Sequence, residues 1–260
     1  MRILVRTSRW AVWARRFGAL ALPLALIPIL LHRARIITSQ NFIDVEAVAL
    51  AVAAIAFAAA IVALVRLWFT GDQGWWKATL ALFFALICLG PTGYFAWQAW
   101  RIPEATDVTT DFVNPPMLVT FVPQQFSTPA ERTRIEANYP NARSRNYPIA
   151  ATQIYDVIAN LVDDRDWEVR GRRIPATQLD TGQINAVATT LLGFRQEIAI
   201  RVAGSADGTT VAMRSASLAN FPDFGQNGER VESFLLDLDA QVTLMLRNAS
   251  PQAAAPAADD

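Results

Sequence analysis

Cysteine, histidine and lysine each occur once in this chain, at Cys88, His32 and Lys77, and none of the three lies beyond residue 88. Everything after that point is therefore unable to form a disulfide, a Ser-His-Asp triad, a histidine or cysteine zinc site, a cysteine nucleophile or a lysine Schiff base. No glycine-rich phosphate loop ending in Gly-Lys-Ser/Thr is present either. What remains for any chemistry is carboxylate and arginine. Charge is scarce as well, at 18% of 260 residues, so that a large core or lipid must take up the apolar excess.

The distribution favours lipid. "VEAVALAVAAIAFAAAIVALV" from Val45 carries only Glu46 as a charge, and "ATLALFFALICLGPTGYFAWQAW" from Ala78 carries none. Each reaches the roughly 20 residues that cross a bilayer core of about 30 Å. The earlier run "FGALALPLALIPILL" is shorter and holds Pro23 and Pro28, and the "HRARIITSQ" that follows lacks a small-residue cleavage site, which favours an uncleaved anchor over a signal peptide. Helices are expected near 15–32, 44–66 and 77–100 within a membrane region 1–104. Trp10, Trp13, Trp68, Trp75, Trp76, Trp97 and Trp100 stand near the span ends as an aromatic belt would. Ala47, Ala51, Ala54 and Ala58 are expected to allow close helix contact, within one chain or in an oligomer.

Basic residues set the expected orientation. Arg2, Arg6, Arg9, Arg15 and Arg16 precede the first span and Arg66 and Lys77 flank the second connection, against only Arg33 and Arg35 in the first connection. The heavier side is cytoplasmic, so the remainder is expected in the periplasm of a bacterium, anchored in its inner membrane. From residue 101 onward, 14 Arg stand against 20 Asp and Glu, a net of −6, which does not indicate attraction to nucleic acid.

Residues 105–142, with prolines at 115, 116, 140 and elsewhere, read as an extended tether able to wrap a domain at 143–247, and 248–260 as a disordered tail. In the domain, Ile154, Ile158, Leu161 and Val162 share a helical stripe. Four strand-like runs follow, "WEVRGRR", "GQINAVATT", "FRQEIAIRV" and "TTVAMRSAS", and then Val231, Phe234, Leu235, Leu238, Val242 and Met245 mark a long helix. The expected fold is α+β, an antiparallel sheet of about four to five strands with helices on one face and a long C-terminal helix, after three transmembrane helices.

Strand alternation puts Arg195, Glu197 and Arg201 opposite the inward Ile198, Ile200 and Val202, and Arg214 joins the outward set. The preferred reading is a ladder of cross-strand ion pairs on a solvated face, and the competing one an anion-binding surface. In "DFGQNGER", Asp223 or Asn227 is expected to cap the long helix, with Arg230 folding back onto an acid or onto carbonyls of the preceding loop, and an anion site as the alternative. "DDRDWE", with Asp163, Asp164, Asp166 and Glu168, lacks the spacing of a calcium loop and reads as solvated acids. No catalytic residue, metal ligand or cofactor is assigned.

"YP" at 147, "DWEV" at 166–169, "GQINAVATTLLGFRQEIAIRV" at 182–202 and "MRSAS" with "DFGQNGERV" at 213–231 together resemble the domain-of-unknown-function family 1499 in its membrane-anchored bacterial form, over roughly Pro115 to Leu238. The resemblance singles out Arg201, Arg214, Ser215, Ser217, Asp223, Gly225, Asn227 and Arg230. In the family's aromatic-basic-Asp-Asp step this chain has Phe194, Arg195, Gln196 and Glu197, and Leu218 stands where a second Arg is expected. No activity comes with the family. The expected function is a binding or interaction module for an envelope protein or small anionic ligand. The alternatives are a hydrolase or isomerase with Asp223 or Glu197 as base and Arg201 or Arg214 at an oxyanion, and a structural subunit of an envelope complex.

Overall fold

The computed structural model describes residues 7–101, 106–120, 122, 124, 126–219 and 222–249, and the chain divides into two units. One comprises residues up to Arg101 with Leu191–Phe194, and the other the remainder. The tail beyond Ala249 lies outside the described residues.

The first unit holds α1 (Arg9–Arg33), α2 (Ser39–Thr70) and α3 (Trp75–Arg101), all long and apolar enough to cross a membrane. Each outruns its apolar stretch because the flanking residues suit helix ends: the Thr38 side chain accepts from the Asn41 amide at 3.2 Å and so starts α2 several residues early. The helices meet through small side chains. Ala21 and Ala25 pack with Ala49 and Ala53, while Ala14 packs with Ala59, Ala60 and Ala81. At Gly18 a Cβ would lie 3.2 Å from the backbone of Ala81, so glycine there sets how closely α1 and α3 approach. The alanines expected at the helix contact, Ala47, Ala51, Ala54 and Ala58, face outward instead, and Ala49, Ala53, Ala56, Ala60 and Ala63 are buried. Alanine occupies both faces of α2, and composition gives no reason to choose between them.

The second unit is an antiparallel sheet in the order β1 (Asp107–Thr109), β6 (Gly208–Ser217), β5 (Arg195–Ser205), β4 (Thr181–Thr189), β3 (Glu168–Arg173). β2 (Arg145–Tyr147) pairs with the other end of β6, so β1 and β2 share one edge. Between them lies α4 (Pro129–Asn138), whose first turn is a reciprocal cap: the Thr128 hydroxyl accepts from the Glu131 amide at 3.3 Å and the Glu131 carboxylate from the Thr128 amide at 2.8 Å. The stretch read as an extended tether thus contributes a strand and a helix.

α5 (Ala151–Asp163) and α6 (Gln226–Ala249) cover one sheet face. Ile154, Ile158 and Val162 of α5 and Val231, Phe234, Leu235 and Leu238 of α6 bury against Ile184, Ile198, Ile200, Val202, Val211 and Met213. Trp167, partly buried, stacks on Phe234 with ring centroids 5.5 Å apart. Fully burying each of the large apolar side chains contributes about 1.5 to 3 kcal/mol. Two polar groups fix α6 to the β2 edge, Tyr147 donating to Asp239 at 2.6 Å and Arg145 pairing with the same carboxylate at 3.0 Å.

Candidate functional site

Nine of the side chains singled out by sequence, Arg195, Glu197, Arg201, Arg214, Ser215, Ser217, Asp223, Asn227 and Arg230, fall on opposite sides of the sheet. Ala199 is the register partner of Arg214 and Ile198 that of Ser215, so Arg214 shares a face with Glu197 and Arg201 while Ser215 and Ser217 point to the helix side. They form two clusters rather than one site.

On the first face, the expectation of a solvated ladder of cross-strand pairs is corrected. Glu197 is 1% exposed and Arg214 5%, and Ala199, Ala212 and Ala216 are buried beside them. The cover is the chain from Asp111 to Thr120, which lies over β4 and β5 as a strap held by named bonds. Arg201 donates to Asp111 at 2.8 Å, Gln183 and Asn185 both donate to the Met117 carbonyl at 2.8 Å, and Glu197 accepts from the Val119 amide and, at 3.0 Å, from that of Thr120. Arg214 makes a two-pronged pair with Asp107 of β1 at 2.9 and 2.8 Å, and its guanidinium sits 5.3 Å from the Phe126 ring centre. The face was misjudged for a simple reason: a period of two tells which way a side chain points and is silent on what lies over it. Arg195 is the looser member, 4.0 Å from Glu168, with its Nε buried and without a hydrogen-bond partner among the described residues.

On the helix side, Asn227 is the hub. Wholly buried, it accepts from the Ser215 hydroxyl at 2.7 Å and donates to Ser217 Oγ and to the Thr106 carbonyl, both at 3.0 Å. It therefore joins the start of α6 to β6 and to the residue preceding β1. Asp223, three residues before α6, accepts from the Gly225 amide at 3.2 Å and from the Asn227 amide at 2.9 Å, so it satisfies one of the free donors of the helix start. Among the described residues, the Arg230 NH1 lies 3.3 Å from Asn227 Oδ1 and 3.4 Å from Ser215 Oγ, and its charge acts on the Asp223 carboxyl. Among the described residues, the Ser215 hydroxyl donates to an amide oxygen rather than to a base.

Burial shapes the electrostatics of this cluster. It pushes the Asp223 carboxyl up, outweighing the two backbone amides and the Arg230 charge that pull it down, and it brings Arg230 down to about 10, still a cation at neutral pH. Tyr139 lies against Gly228, where any Cβ would run into its ring, and its buried hydroxyl has no hydrogen-bond partner among the described residues. Burial, and next the Asp223 charge, holds that phenol far above its usual range and hence neutral.

Asp223→Ala is expected to lower stability by about 0.5 to 2 kcal/mol, and Asp223→Asn by less, because an amide oxygen still accepts at the helix start. Since the folded carboxyl is raised, its contribution is fully present below the ordinary aspartate value of about 3.9 and is lost as pH rises through the raised value. The Asn substitution should therefore cost more near pH 4 than near pH 7 in paired denaturant titrations. A cost that grows with pH would reverse the sign of that assignment.

Sequence reading missed the partners of these residues. Asp107 and Asp111, which hold Arg214 and Arg201, lie in the supposed tether, yet Asp107, Thr109 and Asp111 alternate as one face of an extended chain would. Two acids of "DDRDWE" are in ion pairs, Asp163 with Arg172 at 2.8 Å and Glu168 with Arg170 at 3.0 Å and, more loosely, with Arg195.

Three apolar helices followed by a strapped antiparallel α+β domain define the class of protein. The family model described as "Protein of unknown function (DUF1499)" matches residues 107–238, from β1 into α6, and the chain belongs to that family. No curated protein and no solved structure is matched.

Proposed function

We propose that this is an inner-membrane protein of a bacterium whose α+β domain stands in the periplasm as a binding module for another envelope protein. The observation that carries the reading is the strap. Its backbone is bonded inward to Glu197, Asn185 and Gln183, while Val113, Met117 and Val119 are 94%, 75% and 69% exposed. A pinned backbone that turns apolar side chains to solvent is preorganised for a partner, because little entropy is lost when one docks. Arg201 and Arg214, which an oxyanion would need, are already engaged by Asp111 and Asp107, and Glu197 by backbone amides. Asp223, raised by burial, is the one feature that favours carboxylate chemistry, and its oxygens are bonded to the α6 start.

A photo-crosslinking residue at Met117 in living cells is expected to give one discrete adduct. Val113→Asp with Val119→Asp should abolish it while leaving the melting temperature within about 2 °C of wild type, as exposed substitutions do. No adduct, or one indifferent to the added charges, would remove the strap as the docking surface.

The orientation rests on seven basic residues in the flanks assigned to the cytoplasm. A phosphatase reporter fused after Arg247 should be active and a reporter that fluoresces only in the cytoplasm dark. The opposite pattern would place the domain, and its partner, in the cytoplasm.

A further inference from the structure

We propose that the groove between α1 and the beginning of α2 binds one membrane phospholipid that carries an ammonium headgroup. The groove encloses about 630 Å³ and is walled by Leu24, Ile27, Pro28 and Ile37, with Asn41 and Asp44 at its polar end. That volume falls within the roughly 300 to 1,000 Å³ of small-molecule sites.

The shape follows from sequence. Ala21 and Ala25 of α1 meet Ala49 and Ala53 of α2, which brings the two helices together at that level. Pro28, one turn beyond, carries a ring that folds back on its own backbone and leaves the α1 surface shallow there. Ile27 is 53% exposed at the rim, on a helix long and apolar enough to cross a membrane, so hydrocarbon chains are the natural neighbours of this wall.

The headgroup class follows from charge. Asp44 is the only charged residue of the lining. Its Oδ1 accepts from Gln40 at 3.0 Å, and its other oxygen has no hydrogen-bond partner among the described residues. Asp44 is exposed at the polar end of the groove, so its charge is open to a headgroup. An ammonium provides both the opposite charge and N–H donors for Asp44, which a headgroup charged only at its phosphate lacks. Asn41, three residues earlier and so on the same side of α2, offers an amide that can donate to the phosphate oxygens.

The test uses the full chain in mild detergent, exchanged against equal amounts of phosphatidylethanolamine and phosphatidylglycerol with identical acyl chains, and read by native mass spectrometry. One retained ethanolamine lipid per chain is expected, at a preference of about threefold that falls to parity in Asp44→Asn. Ile27→Trp, which narrows the groove, should reduce retention of both lipids. Since Asp44 is exposed, Asp44→Asn folds normally and the preference can be read from it alone if Ile27→Trp does not fold. No retained lipid, a preference for phosphatidylglycerol, or an ethanolamine preference unchanged in Asp44→Asn would each overturn the proposal.

Discussion

Asp107→Ala is expected to destabilise the α+β domain by about 3 to 5 kcal/mol, because it leaves the Arg214 guanidinium buried without its carboxylate. Asp107 is fully buried and Arg214 nearly so, and both prongs of the pair lie within 2.9 Å. Against a total stability of about 5 to 15 kcal/mol for an ordinary domain, that loss brings the fold near its limit. The companion experiment replaces both partners, Asp107→Leu with Arg214→Met. Two apolar side chains of similar size need no pairing, and the double variant should recover most of the loss, as buried pairs exchanged for packed apolar groups commonly do. A cost below about 1 kcal/mol for Asp107→Ala, the range of exposed pairs, would mean that water reaches this face.

Glu197→Ala is the second large effect, at about 2 to 3 kcal/mol, since it deprives the Val119 and Thr120 amides of a charged acceptor at once. Glu197→Gln should cost less, because its carbonyl oxygen still accepts one of the two. The loss should appear first as release of the strap: 111–120 would become susceptible to protease while β4, β5 and β6 keep their pairing. If Glu197→Ala unfolds the sheet and strap together, the two are one cooperative unit rather than a sheet with a pinned cover.

The strong periodic signals were legible in the sequence. Long uncharged runs gave the three membrane-compatible helices, the period of two gave β3 to β6, and the stripe from Val231 gave α6. The edge of the sheet was harder to read, because β1 and β2 are three residues each and the alternation of Asp107, Thr109 and Asp111 is carried by polar residues. α4 was legible and overlooked: Thr128, Pro129 and Glu131 are a helix-start signature that the neighbouring prolines obscured.

The clusters into which the candidate residues fall depend on partners far away in the chain. Asp107 lies 107 positions from Arg214 and Asp111 90 from Arg201, separations that no local spacing rule spans. Burial was the larger error. A row of Arg and Glu on a strand looks exposed, and here it is the underside of a strap whose own polar contribution is mostly backbone and therefore invisible in side-chain pattern. On the helix side, Asn227 could be read as a cap from its place before the stripe, but its bonds to Ser215, Ser217 and Thr106 depend on the strand register.

Backbone amide exchange at Val119 and Thr120 in the full-length protein tests most directly whether the charged sheet face is an interior held closed by the strap. Both amides should exchange far more slowly than unstructured chain in the wild type, and at the unstructured rate in Glu197→Ala, while β5 and β6 remain protected in both. Fast exchange at these two positions in the wild type would contradict the account, since Arg201, Arg214 and Glu197 would then face solvent and be free to hold a ligand.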